Sequence, residues 1–386
     1  MTNGKTRILF VSIELEGCGA QRVLATILQH IDKTRFESIL ALFVDTREYL
    51  IPDDVQVICL YKKGWWDYPK LIWKLSRLYA QLKPDLVVSF LTYTNIICIL
   101  AKMFSNVKSY LILSEHGMPS FPLTKTKNPV TIFFLKWMPR WFYNHADKVI
   151  CVSMDSANEV NKIFRMPIEK IKVIYNPVDT NNIIALCHEN LEHPWFAQDI
   201  PIIISVGRLT DVKGYPYLLR AFKQIMTKYP SRLVILGKGE KETLLKELSL
   251  QLGIDKSVAF LGFQANPFKY MSRSTVFVLS SMSEAFPMVV LEAMTCGVPI
   301  ISTASTGSSE IITDGVNGLL VPLADEVALV EAIGKLLTND TLVSNLAQSG
   351  RERVRDFSVE KVIKQYEELF STAGQKREEY KPIGLK

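Results

Sequence analysis

The chain of 386 residues has six cysteines but no C-x-x-C pair, so it lacks the usual spacing of a structural zinc site. Cys59, Cys98 and Cys151 lie in apolar stretches, where a reduced thiol behaves as a small hydrophobe. A reducing, cytosolic compartment is expected. No D-x-D occurs, which removes a common carboxylate pair for a divalent metal, and no G-x-x-x-x-G-K-[ST] phosphate loop occurs either. The polar start, Met1 to Arg7, passes directly into a strand-like run, so no secretory leader is expected. The longest apolar stretch, Leu86 to Phe104, is interrupted by Ser89, Thr92, Thr94 and Asn95, which argues against a membrane-spanning helix. No repeat of short period is found.

Nearly half of the residues (48 %) are hydrophobic, which makes the chain globular, and its length predicts two domains. Strand-like runs alternate with helical patterns throughout. In the first half they are Ile8 to Ser12, Ser38 to Phe43, Leu86 to Phe90, Tyr110 to Leu113 and Lys148 to Val152, followed by Lys172 to Tyr175. A second series runs Ile202 to Val206, Leu233 to Leu236, Ala259 to Leu261, Val276 to Leu279, Pro299 to Ser302 and Gly318 to Val321. Such alternation predicts an α/β chain of two doubly wound, Rossmann-like domains with parallel sheets. The polar stretch before Ile200 marks the junction. We expect domains over 1–190 and 191–358, followed by a C-terminal helix and a loose tail over 359–386.

The groups suited to chemistry gather at predicted strand ends, where open parallel sheets bind ligands. After Ile202 to Val206 come Gly207, Arg208, Lys213 and Gly214. Glycine lets a backbone approach a phosphate, and the two cations can neutralise a diphosphate. Gly237-Lys238-Gly239 and Phe260-Leu261-Gly262-Phe263 close two further strands. Glu284 and Glu292 then lie eight residues apart, with Glu284 in a strand-to-helix loop and Glu292 about two turns into the helix. Pro287 is acceptable at the first helical position. In the first half, Gly17-Cys18-Gly19-Ala20-Gln21-Arg22 opens a helix without being a G-x-G-x-x-G turn, and His116 follows a strand in Ser114-Glu115-His116-Gly117.

The formal net charge of +6 is a modest excess. Its placement is more informative: Lys125, Lys127, Lys136, Arg140 and His145 interleave with Phe133, Phe134, Leu135, Trp137, Met138, Trp141 and Phe142. This reads as a basic, aromatic-rich helix fitted to an anionic membrane surface. The alternative is a core helix whose cations snorkel outward. Trp65 and Trp66, after Lys62 and Lys63, are a second candidate contact, and no nucleic-acid partner is expected.

Gly207-Arg208 with Lys213-Gly214, Gly237-Lys238-Gly239, Phe260-Leu261-Gly262 and the Glu284 to Glu292 pair, in this order and spacing, resemble glycosyltransferase family 4. The resemblance is specific over about residues 200 to 325. It extends more loosely through Gly19-Ala20-Gln21-Arg22, Ser89-Phe90-Leu91, Asn95 and Ser114-Glu115-His116, features similar to bacterial transferases of lipid-linked oligosaccharide assembly. The resemblance implies a GT-B fold, two Rossmann-like domains facing a cleft, with a retaining reaction and neither metal nor cofactor.

By the same resemblance, Arg208 and Lys213 hold the donor diphosphate, with Gly207, Gly237 and Phe263 at the donor site. Glu284 lies at the donor sugar, Glu292 takes the ribose hydroxyls, and His116 contacts the transferred sugar. Gly19 covers the diphosphate, while Ala285, Phe286 and Pro287 present backbone N–H groups. Cys18, Gln21, Pro177, Ala285 and Ser308 depart from the family pattern.

The activity implied is transfer of a hexose or N-acetylhexosamine from a UDP-sugar to a lipid-linked saccharide by a peripheral protein at the cytoplasmic face of the inner membrane. Two alternatives are a soluble GDP-mannose or UDP-glucose transferase acting on a small acceptor, and a nucleotide-sugar-binding protein without turnover. Two working carboxylates of a glycosidase are excluded, because Glu284 and Glu292 have separate roles.

Overall fold

The computed structural model describes residues 5–16, 19–62, 64, 67–120 and 128–376. Two compact units result. One comprises 1–177 together with 359–386, and the other comprises 178–358. The division thus falls thirteen residues before the expected boundary at 190/191, and the last helix, Val359–Lys376, belongs with the first unit. Its apolar stripe explains this: Val362, Ile363, Tyr366 and Phe370 are buried in the same core as Ile8, Phe10, Leu24 and Leu28.

The first unit is built on seven strands: β1 (Thr6–Ser12), β2 (Phe36–Leu42), β3 (Gln56–Cys59), β4 (Leu86–Phe90), β5 (Tyr110–Glu115), β6 (Lys148–Cys151) and β7 (Ile171–Val173). They pair in the order β3-β2-β1-β4-β5-β6-β7, and every pairing is parallel. Successive residues of β1 face opposite sides of the sheet. Ile8 and Phe10 enter one core, while Leu9 and Val11 enter another with Leu75, Tyr79, Cys98 and Val160.

The second unit repeats the plan with β8 (Ile202–Val206), β9 (Arg232–Leu236), β10 (Val258–Phe260), β11 (Val276–Leu279), β12 (Ile300–Thr303) and β13 (Leu319–Val321). Their order is β10-β9-β8-β11-β12-β13, again parallel. In both sheets the direction of winding reverses beside the first strand, between β1 and β4 and between β8 and β11. That reversal opens a crevice at the carboxyl ends of the strands.

The basic, aromatic segment is not one regular helix. Pro129–Ile132 and Met138–Phe142 are α-helical, and Phe133–Trp137 between them is a π-helical turn. Trp137 and Trp141 are 41 % and 55 % exposed, whereas Met138 and Phe142 pack on the first unit's core. Lys125, Lys127, Trp65 and Trp66 lie outside the described residues, as do Gly17 and Cys18.

Candidate functional site

In the second unit, the loops after β8 and β11 flank the reversal point. Gly207 leaves β8, and Lys213 ends a single 3-10 turn (Asp211–Lys213) closed by Gly214 at φ 62°. A Cβ at Gly214 would collide with the carbonyl of Ser280, so only glycine brings the two loops this close. The contact is reinforced by Ser280 Oγ, which donates to the Lys213 carbonyl at 2.8 Å, and by the Met282 N–H, which donates to the Val212 carbonyl at 2.7 Å.

Lys213 and Glu284, 71 residues apart, meet across this junction. Lys213 Nζ donates to Glu284 Oε1 at 2.6 Å, and Ser281 Oγ donates to the same oxygen at 2.6 Å. Both side chains are largely buried, at 19 % and 15 % exposure. The desolvation of each charge is therefore offset mainly by the other. Behind Glu284, its carbonyl accepts the Gly307 N–H at 3.0 Å, and a Cβ on Gly307 would strike the carbonyls of Glu284 and Ala285. The carboxylate loop is thereby pinned against the start of helix Thr306–Ile311.

Gly237, at φ 136°, ends β9 where a Cβ would collide with the Gly207 carbonyl, so the two glycines hold neighbouring strand ends together. Arg208 is exposed and makes no ion pair among the described residues. Phe263 is 68 % exposed, an aromatic face open to solvent. Phe286 is buried and packs edge-on against Phe357 at 5.5 Å. Its side chain is core, and only its backbone can serve a ligand.

Two expectations need correction. Pro287 lies outside helix Met288–Cys296 as its N-cap and, being proline, has no N–H to present. Glu292 is buried, about one turn into that helix rather than two.

The first unit contributes a site of different chemistry. Gly19 is the first residue of helix Gly19–His30 and has open space where a Cβ would stand. His116 follows β5 directly; its ring stacks on Phe90 at 5.4 Å, and Nε2 is 2.9 Å from Ser114 Oγ. Nδ1 is buried without a partner. Burial holds the imidazole neutral by lowering its pKa to about 3.

Beside it, Glu115 is buried with no cation paired to it among the described residues. It accepts from Thr92 Oγ1 at 3.0 Å, from Asn95 Nδ2 at 2.8 Å and from the Tyr143 hydroxyl. Burial raises the Glu115 carboxyl above its usual range, while these three donors pull it back. Leu91, which enters the helix carrying Thr92 and Asn95, has φ 74°, a conformation costing roughly 1–3 kcal/mol for a non-glycine residue. The sequence places Glu115 within Ser114-Glu115-His116 but gives it no role, and it does not single out Tyr143 or Ser281.

The comparisons with known proteins agree with this division. The profile of Glycosyltransferase Family 4 matches residues 18–182, and that of Glycosyl transferases group 1 matches residues 190–353. The chain is 29 % identical over 354 residues to the N-acetylgalactosamine-N,N'-diacetylbacillosaminyl-diphospho-undecaprenol 4-alpha-N-acetylgalactosaminyltransferase of Campylobacter jejuni, covering 90 % of this chain and 94 % of that protein. It is 25 % identical over 380 residues to the same organism's GalNAc-alpha-(1->4)-GalNAc-alpha-(1->3)-diNAcBac-PP-undecaprenol alpha-1,4-N-acetyl-D-galactosaminyltransferase, covering 95 % and 98 % of the two chains. Among solved structures, HepE of Anabaena in complex with UDP superposes with a TM-score of 0.79 at 21 % identity, covering 95 % of this chain and all of the other. Parallel sheets that each reverse beside their first strand, with family profiles over both halves, lead to one assignment: the chain is a glycosyltransferase of family 4 with the GT-B fold.

Proposed function

We propose that the protein transfers a hexose or N-acetylhexosamine from a UDP-sugar to a lipid-linked saccharide, with retention of anomeric configuration and without a metal, at the cytoplasmic face of a membrane. The observation carrying this reading is the Lys213–Glu284 pair at the reversal point of the second sheet. A donor diphosphate competes for the Lys213 ammonium as a denser anion than a carboxylate, and Glu284, once released, can accept hydrogen bonds from the hydroxyls of the donor sugar. Arg208, exposed in the same loop, adds a second cation. Together they stabilise the departing diphosphate electrostatically.

Retention without a covalent intermediate has the acceptor hydroxyl attack on the face from which the diphosphate leaves. The acceptor oxygen bonds to the anomeric carbon as the bond to the diphosphate oxygen breaks, and that oxygen takes the proton. No protein base is needed for this step. His116, neutral at working pH, serves as a hydrogen-bonding group for the transferred sugar. Glu292 is the ribose contact, with Gly19, Gly207, Gly237 and Phe263 around the nucleotide and the Ala285 and Phe286 N–H groups toward the sugar.

The lipid-linked acceptor rests on the two Campylobacter relatives, whose names specify undecaprenol diphosphate carriers. Exposed Trp137 and Trp141, with Lys136 and Arg140 over the Trp137 ring, form a patch suited to anionic headgroups. No helix among the described residues is long and apolar enough to cross a membrane.

A panel of UDP- and GDP-sugars tests the donor reading. The matching nucleotide at a hundred times its dissociation constant stabilises the fold by about 2.7 kcal/mol, and Lys213→Ala and Glu284→Ala each abolish efficient transfer. Wild-type transfer in both variants would sink the assignment. Flotation with anionic vesicles separates the membrane reading from a soluble enzyme with a small acceptor, since replacing Trp137 and Trp141 with alanine releases only a membrane-bound protein.

A further inference from the structure

A cavity of about 580 Å³ in the second unit has Cys187, His188, Arg273, Arg351, Arg355 and Cys296 on its wall, and none of its lining residues among the described ones is a carboxylate. It is lined by the ends of three helices, Thr180–Cys187, Met288–Cys296 and Asp340–Val354. The two thiols are in contact: the Cys187 thiol donates to Cys296 Sγ at 3.5 Å, and the Cys296 thiol is directed at the Phe268 carbonyl, 3.9 Å away. Neither cysteine is fully buried. The arginines are held as part of the wall. Arg273 donates to the carbonyls of Cys187, Lys269 and Glu189 at 2.8–3.0 Å. Gly297 leaves room for the Arg351 guanidinium, which a Cβ there would strike.

We propose that Cys187 and Cys296 form a modification site for anionic low-molecular-weight disulfides, closing to an intrachain disulfide that staples the helix Thr180–Cys187 to the helix Met288–Cys296. The cationic wall raises the local concentration of such a reagent. In the first step the Cys187 thiolate attacks the reagent's disulfide; a Cys187–reagent bond forms, and one half of the reagent leaves as a thiolate that takes up a proton. In the second, Cys296 loses its proton and its sulfur attacks Cys187 Sγ, expelling the other half as a second thiol. The protein loses two electrons and two protons, and the external disulfide gains both. Cys187 reacts first because burial, and then the neighbouring Cys187 sulfur, raise the Cys296 thiol, leaving it a poor initial nucleophile.

Oxidised glutathione, an anionic disulfide, and cystamine, a cationic one, test the proposal on the full chain at low ionic strength, with peptide mapping as the readout. Oxidised glutathione links the peptides of Cys187 and Cys296 roughly 10-fold faster than cystamine does, and the combined Arg351→Gln and Arg355→Gln changes remove that preference. Cys296→Ser stops at a glutathione adduct on Cys187, and Cys187→Ser leaves Cys296 largely unmodified. The closed form melts higher, by about 5 °C, and dithiothreitol reverses the shift. Separate adducts on both cysteines without a cross-link would overturn the site, and equal rates with the two reagents would overturn the role of the arginines.

Discussion

Each unit holds a carboxylate at or just beyond the carboxyl end of a sheet strand, and the two are treated in opposite ways. Glu115 is sealed in the first unit by an amide and two hydroxyls, with no cation paired to it among the described residues, whereas Glu284 in the second is held by Lys213 and one hydroxyl. Neutral donors fixed by the fold make a rigid support, because each would be left unsatisfied if the carboxylate moved. An ion pair at partial exposure can exchange its partner for an incoming charge. On the proposed function, the first site positions its neighbour, His116, and the second changes state when a donor arrives.

The sharpest way to break this contrast is at Lys213. Lys213→Ala is expected to lower the transfer rate by about 10²–10³-fold while leaving the fold intact, measured by turnover and circular dichroism together. Glu115→Ala is expected to act on stability instead, costing roughly 2–4 kcal/mol in denaturant unfolding as three donors lose their acceptor. Gly237→Ala, which forces a side chain into the Gly207 carbonyl at φ 136°, is expected to cost roughly 1–3 kcal/mol.

Acidity refines the comparison. Glu115 has its carboxyl raised from 4.5 by burial, so between 4.5 and its folded value the native state binds more protons than the unfolded one. Its contribution to stability is then present at low pH and falls as pH rises through that window. Subtracting the pH–stability curve of Glu115→Gln from that of the wild type isolates the slope. His116 runs in the opposite direction. With its pKa lowered from 6.5 to about 3, the unfolded state binds more protons between these values, so its contribution grows as pH rises from 3 to 6.5. Its imidazole resonances should stay constant from about pH 5 to 8, where an unperturbed histidine titrates.

Much of the architecture is legible in local pattern. Every strand of the second sheet lies within a residue or two of its expected run, because each one, the part-exposed edge strands β10 and β13 included, is an almost continuously apolar run. The edge strand β3 is not, since Gln56 to Cys59 are at most half-buried and alternate weakly. A glycine-rich turn with two cations at a strand end located Lys213. Its pairing with Glu284 was not legible, because it depends on β8 and β11 being neighbours, which strand order decides and sequence distance hides. Glu115 escaped for a related reason. Its partners are Thr92 and Asn95 from one helix and Tyr143 from a later turn, and a carboxylate at a strand end looks solvated until those elements are packed around it. The aromatic segment announced its composition but not its π-helical turn, which sits two residues before Pro139.

The return of helix Val359–Lys376 to the first core has a consequence for the order in which the chain is made. As residues emerge from the ribosome, 178–358 are complete while the unit begun earlier still lacks Tyr366 and Phe370 against Phe10 and Leu28. The half that starts first is finished last, and the part of its core that this helix covers must wait through the synthesis of an entire second domain.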